Sequence, residues 1–347
     1  MRARKFLERR VTRRGLLAAG SATLVDMLPG SLGIARSTHM SATRLPILHE
    51  TEAYRFSLVL ETEREAECGA LARGAREAAE ELGIVLEVQG PQLLDPRTQA
   101  DILPALVPLV PDAILFAPTD PVAMLQPIQS AIDAGIVLVT VGAQLEADVG
   151  IAHVGADNIE DGRFAARSLA EALGEQGKVA ISGAEFGQVV ARQRQQGFEE
   201  VIYFFPGIEL VGIDANGDDP LSAAESTAAS LRTYPDLTGI MAFNRAGIEA
   251  SAEAVAAAGK QDSVTIFGFE AEPSQIEMLR DGVIRGLIIR RSYLTGSAAV
   301  RLAYEYLTTG DAPPTKRVWI PSSLVTSDNI DDSAIAREFA AAVCTVP

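Results

Sequence analysis

The feature that most constrains the fold is a repeated alternation of short apolar runs with longer helical stretches, which begins at Tyr54. The runs at 56–60, 113–116 and 136–141 are each followed by a stretch with helical composition. Parallel strands need a crossover connection, and strands that alternate with helices are typical of βαβ units. The sequence therefore predicts an α/β fold built from doubly wound parallel sheets.

The same unit order occurs twice, which predicts two doubly wound parallel-sheet lobes joined by a hinge. The predicted strands are 56–60, 84–88, 113–116, 136–141, 149–154, 178–181, 208–211, 239–243 and 264–269. We expect an N-terminal lobe of residues 54–155 plus 291–319 and a C-terminal lobe of residues 156–290 plus 320–347. The chain would then cross between the lobes near Ala156, Arg290 and Ile320.

The N-terminus predicts export. Five basic residues precede the pair Arg13-Arg14, and a weakly apolar run follows from residue 15 to residue 34. This pattern predicts a twin-arginine-type signal peptide over residues 1–35, cleaved near Ala35, and then an N-terminal extension over 36–53. A membrane anchor is the alternative, but Asp26 and Pro29 interrupt the run. No cysteine follows the leader to carry a lipid, so we expect a periplasmic protein.

The charge excludes several partners. The sequence has 30 Lys and Arg against 46 Asp and Glu, a formal net charge of −16. The leader holds seven of these basic residues and two of the acidic ones, so the mature chain is more negative still. Nucleic acids and anionic membranes require a basic surface, and we expect neither as a partner.

The sequence contains none of the common motifs of catalysis and metal binding. It has no Gly-x-Ser-x-Gly elbow, Walker loop, His-Glu-x-x-His or Cys-x-x-Cys. Three scattered histidines do not make a metal site, and residues 214–219 predict a polar turn rather than a calcium loop. Cys68 and Cys344 are too few for a disulfide scaffold. We therefore expect no enzyme activity, cofactor or metal.

Polar residues follow most of the predicted strands. Open parallel sheets bind ligands at the carboxyl ends of their strands, so these residues are candidates for a binding site. The candidates are Glu61, Glu65, Glu67, Thr119, Asp120, Gly142, Ala143, Asn244, Arg245 and Glu270. For the glutamates, stabilisation of a helix N-terminus is the alternative, because negative charge is favourable there.

A linked series of short motifs resembles one family. In order these are residues 113–120 (AILFAPTD), 155–158 (GADN), 192–198 (RQRQQGF), Phe243-Asn244, 267–270 (FGFE) and Gly310-Asp311. Together they resemble the type I periplasmic binding proteins related to ribose-binding protein, over nearly all of residues 54–332. The resemblance implies a non-catalytic, monomeric receptor that closes on a small polar solute and feeds the permease of an ABC importer.

The resemblance also implies ligand-binding residues. These are Arg194, three residues before Gly197-Phe198, together with Asn244, Glu270, Arg290 and Glu65. Glu61 joins them as a predicted ligand-binding residue because it directly follows the first strand. Arg192 is the less favoured arginine, and Arg290 stands where related receptors often have glutamine. Three alternatives remain open. Arg194 would pair with Glu199 or Glu200 on a solvated face, Asn244 would be a turn residue, or Glu270 would form an inter-lobe ion pair with Arg290.

The chain departs from the sugar receptors at positions that contact the ligand. Glu67 and Cys68 stand where those receptors place aromatic rings, and Gly142-Ala143 replaces an Asp-Arg pair. Arg194 and Arg290 suit a ligand with a carboxylate or phosphate, whereas the candidate glutamates suit a polyol or a cationic group. We therefore expect a sugar, a polyol, a sugar acid or another small polar solute.

Other functions are compatible with the same fold. One alternative is a sensor that presents its closed form to a membrane kinase or chemoreceptor, which uses the same hinge as an importer component. A secreted enzyme would place a nucleophile or an acid–base pair in the cleft. A cytoplasmic transcription regulator is opposed by the leader and by the lack of a DNA-binding helical motif before the first strand.

Overall fold

The computed structural model describes residues 53–63, 66–120, 122–145, 147–183, 189–213 and 219–339. The predicted signal peptide, residues 36–52 of the predicted extension, Glu65, Cys344 and residues 214–218 of the polar turn lie outside these residues. Within them, the strands form two six-stranded sheets. The predicted α/β class, with two doubly wound parallel-sheet lobes, is confirmed.

The first sheet has the strand order β11-β5-β4-β3-β1-β2, and its neighbouring strands are all parallel. Its strands are β1 (Arg55–Val59), β2 (Val85–Gln89), β3 (Ala113–Phe116), β4 (Val137–Val141), β5 (Ala152–Gly155) and β11 (Arg317–Trp319). All four residues of β3 are buried, because helices cover both faces of the sheet.

The second sheet has the order β12-β10-β9-β8-β6-β7. Its strands are β6 (Gly177–Ser182), β7 (Ile208–Ile213), β8 (Leu237–Ala242), β9 (Thr265–Phe269), β10 (Gly286–Ile289) and β12 (Ser323–Val325). All neighbours are parallel except the edge strand β12, which is antiparallel to β10.

The helices lie between the strands, as the alternating pattern predicts. They are α1 (Ala66–Glu81), α2 (Pro96–Leu106), α3 (Leu125–Asp133), α4 (Asn158–Ala172), α5 (Val189–Ile202), α6 (Pro220–Thr233), α7 (Arg245–Ala257), α8 (Pro273–Arg280), α9 (Ser292–Thr309) and α10 (Ser333–Phe339). A 3₁₀ turn at Val107–Leu109 extends α2. No helix in these residues is long and apolar enough to cross a membrane.

Two close helix–helix contacts position Arg194 and the helix α1. A Cβ at Gly197 of α5 would lie 1.9 Å from the Ile159 carbonyl oxygen of α4, so only glycine permits this approach. A Cβ at Gly74 of α1 would lie 1.9 Å from the Tyr293 carbonyl oxygen of α9. The first contact fixes the helix that carries Arg194, and the second fixes α1 against the start of α9.

The chain passes between the two sheets from β5 to β6, from β10 to β11 and from β11 to β12. The helix α9 follows β10 of the second sheet but packs on β3, β4 and β5 of the first. The short helix α10 contacts α1 and α9, while two of its side chains pack on the core of the second lobe. The lobe limits given from the sequence stay predictions.

Candidate functional site

Two cavities lie where the carboxyl ends of both sheets meet. Three residues, Glu67, Arg290 and Ser292, line both of them. The first cavity is also lined by Arg194, Glu270, Ala271, Glu272, Ile288, Ile289, Glu338 and Phe339. The second is also lined by Glu61, Cys68, Leu71, Ala117, Gly142, Gly155, Ala156 and Thr295. Including their openings to solvent, their empty volumes are about 540 Å³ and about 460 Å³.

Arg194 is a buried cation at the first cavity, with 2% of its surface exposed. Its Nη1 donates hydrogen bonds to the Phe243 carbonyl oxygen at 3.1 Å and to Glu270 Oε1 at 3.1 Å. Its guanidinium carbon lies 4.1 Å from the centroid of the Phe269 ring. Burial, and then the nearby Arg290, lower the pKa of Arg194, but an arginine in a protein stays charged.

The alternative in which Arg194 lies on a solvated face is wrong. The two carboxylates that it would have paired with have other partners: Glu199 accepts from Gln195, and Glu200 accepts from Gln196 and Arg163. The less favoured arginine, Arg192, is the exposed one. Helix periodicity explains the difference, because residues two apart on a helix point in different directions.

Glu270 follows β9 and has a φ of 84°, which is uncommon for a residue with a side chain. This backbone conformation accompanies the ion pair with Arg194. Burial alone would raise the pKa of Glu270, but Arg194 and Arg290 together hold it below its usual value. Glu270 is therefore an ionised acceptor at neutral pH, and such backbone outliers are frequent at functional sites.

Arg290 follows β10 and pairs with Glu67 of α1, with Nη1 3.3 Å from Oε1. Ser292 Oγ donates to the same carboxylate oxygen at 2.9 Å. Although burial opposes the charge of Arg290, Glu67 and Glu270 raise its pKa. The alternative in which Glu270 forms an inter-lobe ion pair with Arg290 does not describe this structure. Glu270 pairs with Arg194, and Glu67 is the partner that joins Arg290 to the first lobe.

Asp161, in the first turn of α4, was not among the candidates from the sequence. It is 4% exposed, and its Oδ2 has no hydrogen-bond partner among the described residues. Burial raises the pKa of Asp161, while the nearby Ser322, Arg194 and Arg290 act in the opposite direction. Asp161 thus adds a carboxyl group to the charges around both arginines.

The other predicted residues differ in what they contact. Glu61 lies after β1 and lines the second cavity. Asn244 caps α7, since its Oδ1 accepts from Gly247 N at 2.7 Å and its Nδ2 donates to Gly183 O at 3.0 Å. This is the backbone role that the alternative for Asn244 described. Its role as a ligand residue stays a prediction, as does that of Glu65, which lies outside the described residues.

The sequence placed Glu67 among the strand-end candidates but not among the predicted ligand-binding residues, and Glu338 was not a candidate at all. Glu67 could have been predicted from the sequence, because it belongs to the loop and helix that follow β1. Glu338 lies on α10, and nothing in its local sequence indicates that this helix returns to the cavity. The site therefore alternates guanidinium donors with carboxylate acceptors. Among the described residues, no group of three or more His, Cys, Asp and Glu is arranged to hold a metal ion.

Comparisons with known proteins agree with this geometry. The family model described as a periplasmic binding protein domain matches residues 66–312. The D-apiose import binding protein of Paraburkholderia graminis is 24% identical over 68% of this chain and 75% of its own length. The D-allose-binding periplasmic protein of Escherichia coli is 24% identical over 80% of this chain and 93% of its own length.

Solved structures give the same family. A solute-binding protein of an ABC transporter from Agrobacterium vitis, bound with α-D-tagatopyranose, is 32% identical, with a TM-score of 0.70, over 83% of this chain and 99% of that one. The arabinose-binding protein AraP of Geobacillus stearothermophilus, 24% identical with a TM-score of 0.76 over 80% of this chain and 98% of that one, shares the fold. Members of this family are solute-binding proteins and not enzymes. The chain belongs to the periplasmic binding protein family, as a type I solute-binding protein related to ribose-binding protein.

Proposed function

We propose that this chain binds a sugar or a related polyhydroxylated solute in the two cavities and delivers it to the membrane permease of an ABC importer. The observation that carries the proposal is the presence of two guanidinium–carboxylate pairs at the strand ends, Arg194–Glu270 and Arg290–Glu67. Each pair sets hydrogen-bond donors beside acceptors. Vicinal hydroxyl groups, which both donate and accept, are suited to such a surface.

The charge of the site favours a neutral ligand. Both arginines already have a carboxylate partner, so an acidic ligand gains less from them than it would from unpaired cations. Glu61 and Asp161 add further negative charge near Arg290. A sugar acid or a phosphate therefore meets repulsion from these carboxylates, whereas a neutral polyol uses both halves of each pair.

The sugars bound by the relatives are the first ligands to test with this chain. These relatives include a D-ribose/D-allose-binding protein and a D-apiose import binding protein. Similar solved structures are complexes with α-D-tagatopyranose, D-allose or D-arabinose. We propose a ligand of this pentose and hexose class for the present chain.

The proposed mechanism is ligand-dependent closure. Arg194 and Glu270 come from elements of the second lobe, whereas Glu61 and Glu67 come from the first. A ligand that contacts both sets stabilises the closed form over the open one, and only this difference in affinity shifts the population. The permease would then recognise the closed form.

The relatives named as periplasmic binding proteins support export of this chain. We also propose that residues 1–35 are a twin-arginine-type leader cleaved near Ala35, and that the mature protein is a monomer. N-terminal sequencing and sedimentation of the protein purified from the periplasm test both points. A mature N-terminus far from residue 36, or a dimer, would contradict them.

A thermal-shift screen tests the proposed ligand class. The chain from Arg36 onward is heated with D-ribose, D-allose, D-apiose, D-arabinose, D-tagatose and, for comparison, a set of amino acids. A ligand that binds only the folded state stabilises it by about 2.7 kcal/mol at a hundredfold excess over Kd. We expect a shift with at least one sugar, lost in Arg194→Ala but retained in the exposed control Arg192→Ala. Shifts with amino acids alone would contradict the proposal.

A further inference from the structure

The C-terminal helix α10 contributes a wall to the first cavity. Glu338 and Phe339, its last two residues, line that cavity together with Arg194, Glu270 and Arg290. The segment matched by the family model ends at residue 312, before this helix begins. The residues that form this wall therefore lie outside the segment matched by the family model.

The end of α10 is held by specific contacts. Glu338 Oε2 accepts a hydrogen bond from the Tyr293 backbone N–H, at the start of α9, at 2.8 Å. Arg73 of α1 donates to the carbonyl oxygen of Arg337. The guanidinium carbons of Arg73 and Arg337 each lie 5.9 Å from the centroid of the Tyr293 ring. These contacts fix Glu338 beside the cavity.

Glu338 has one carboxylate oxygen without a donor. The residue is 7% exposed, and its Oε1 has no hydrogen-bond partner among the described residues. A buried carboxylate oxygen that lacks a donor is unfavourable, and a donor that reaches it contributes more than an ordinary neutral hydrogen bond. Glu338 thus belongs to the lining of the first cavity and has an acceptor that no described donor uses.

Phe339 supplies an apolar surface in a polar cavity. It is the one aromatic side chain among the described residues that line either cavity. It packs, together with Ile335, against the core of the second lobe, which fixes its position. The C–H face of a sugar ring packs favourably on an aromatic ring, whereas a linear polar solute has no such face.

We propose that Glu338 and Phe339 contact the ligand, with Glu338 Oε1 accepting a hydrogen bond from a ligand hydroxyl and Phe339 packing on the C–H face of its ring. This inference rests on the proposed function and deepens it. It identifies the ligand as a cyclic polyol with a hydroxyl group next to an apolar face.

Isothermal titration calorimetry tests the inference, with D-ribose, D-allose, D-arabinose and D-tagatose as probes. The variants are Glu338→Ala and Phe339→Ala in the chain from Arg36 onward. The matched controls are Glu305→Gln on the exposed face of α9 and Phe204→Ala, whose side chain is 82% exposed. For the sugar that binds the wild type, we expect Kd to rise about tenfold or more in both variants. The controls should bind within twofold of the wild type.

Conservative variants separate contact from folding. Glu338→Gln keeps an oxygen acceptor and Phe339→Leu keeps the apolar bulk, so both should fold even if an alanine variant does not. We expect Glu338→Gln to bind more tightly than Glu338→Ala, and Phe339→Leu to bind more weakly than the wild type. Unchanged affinity in Glu338→Gln, Phe339→Leu and every alanine variant that folds would overturn the inference while leaving the proposed function intact. A wild type that binds none of the sugars would contradict both.

Discussion

Arg290 Nη1 lies 3.3 Å from Glu67 Oε1, and this ion pair joins the end of β10 in the second sheet to α1, which packs beside the first. The two residues are separated by 223 positions in the sequence. Both residues line both cavities, so a ligand bound in either cavity would lie close to their charges. The pair therefore links the arrangement of the lobes to the chemistry of the site.

Replacement of Glu67 by glutamine should change ligand selectivity more than stability. Both side chains are partly exposed, so we expect the free energy of unfolding to fall by less than about 1 kcal/mol. Arg290 would lose its carboxylate partner, and the preference for D-galactose over D-galacturonate should fall about tenfold or more. Calorimetric titration of both sugars measures this ratio. Glu81→Gln, at the other end of α1, removes the exposed pair with Arg301 of α9 and should leave this ratio unchanged.

Replacement of Arg194 by alanine should destabilise the fold as well as abolish binding. The change leaves Glu270 and the Phe243 carbonyl oxygen without their donor. Arg194 is buried and the Glu270 side chain is 32% exposed, so breaking this pair should lower the free energy of unfolding by about 2 kcal/mol, less than for a fully buried pair. The double variant Arg194→Ala/Glu270→Ala should lose less than the sum of the two single changes. Urea unfolding measures all three, and additive losses would argue against the pairing.

Glu338 should make the protein less stable as the pH rises. Burial raises the pKa of Glu338 to about 7, although the Tyr293 backbone N–H, Arg291 and Arg73 act against this shift. Because the folded state holds this proton more tightly than the unfolded state, stability is fully present below pH 4.5 and is lost as the pH rises through 7. The full difference is about 3 kcal/mol.

The variant Glu338→Gln removes this titration. We expect the difference in free energy of unfolding between variant and wild type to change by about 3 kcal/mol from pH 4.5 to pH 8, in favour of the variant at high pH. Chemical unfolding at a series of pH values measures it. Glu305→Gln is the exposed control. A difference that does not vary with pH would show that Glu338 titrates normally.

His153, unlike Glu338, should make the protein less stable as the pH falls. Burial, together with Arg317, lowers the pKa of His153 to about 4, while Asp148 opposes the shift. Nδ1 of the neutral His153 ring lies 3.1 Å from Thr140 Oγ1. The unfolded state then binds the proton first, so this contribution to stability is present above pH 6.5 and is lost as the pH falls toward 4. In His153→Asn, we expect the loss of stability below pH 6.5 to be smaller than in the wild type.

Nine of the twelve strands in the described residues were predicted, because each is a short apolar run with turn residues at its ends. The other three, β10, β11 and β12, have only three or four residues each and were not among the predicted ranges. The run at 113–116 coincides with β3, and its four residues are buried. The helix α8 was not predicted, because its eight residues span only about two turns and give little periodic signal. The helix α10 is shorter still, and its position depends on contacts with α1, α9 and the core of the second lobe.

The candidate site was predictable in some of its residues but not in its pairings. The strand-end rule brings Glu270 and Glu61 to one region, and the motif that ends in Gly197-Phe198 adds Arg194. The partner of each charge depends on how distant segments pack: Arg194 and Glu270 are 76 positions apart. The local sequence therefore predicts which charged residues lie near the site. Which of them pair depends on the tertiary structure, in which Glu67, rather than Glu270, pairs with Arg290.

The most direct test of the central claim is calorimetric titration of the chain from Arg36 onward with each sugar named for its relatives: D-ribose, D-allose, D-apiose, D-arabinose and D-tagatose. The account predicts saturable binding of at least one of them with one site per chain, and loss of this binding in Arg194→Ala but not in Arg192→Ala. Heat of binding with none of the sugars, or equal binding in Arg194→Ala, would contradict a sugar site at these cavities.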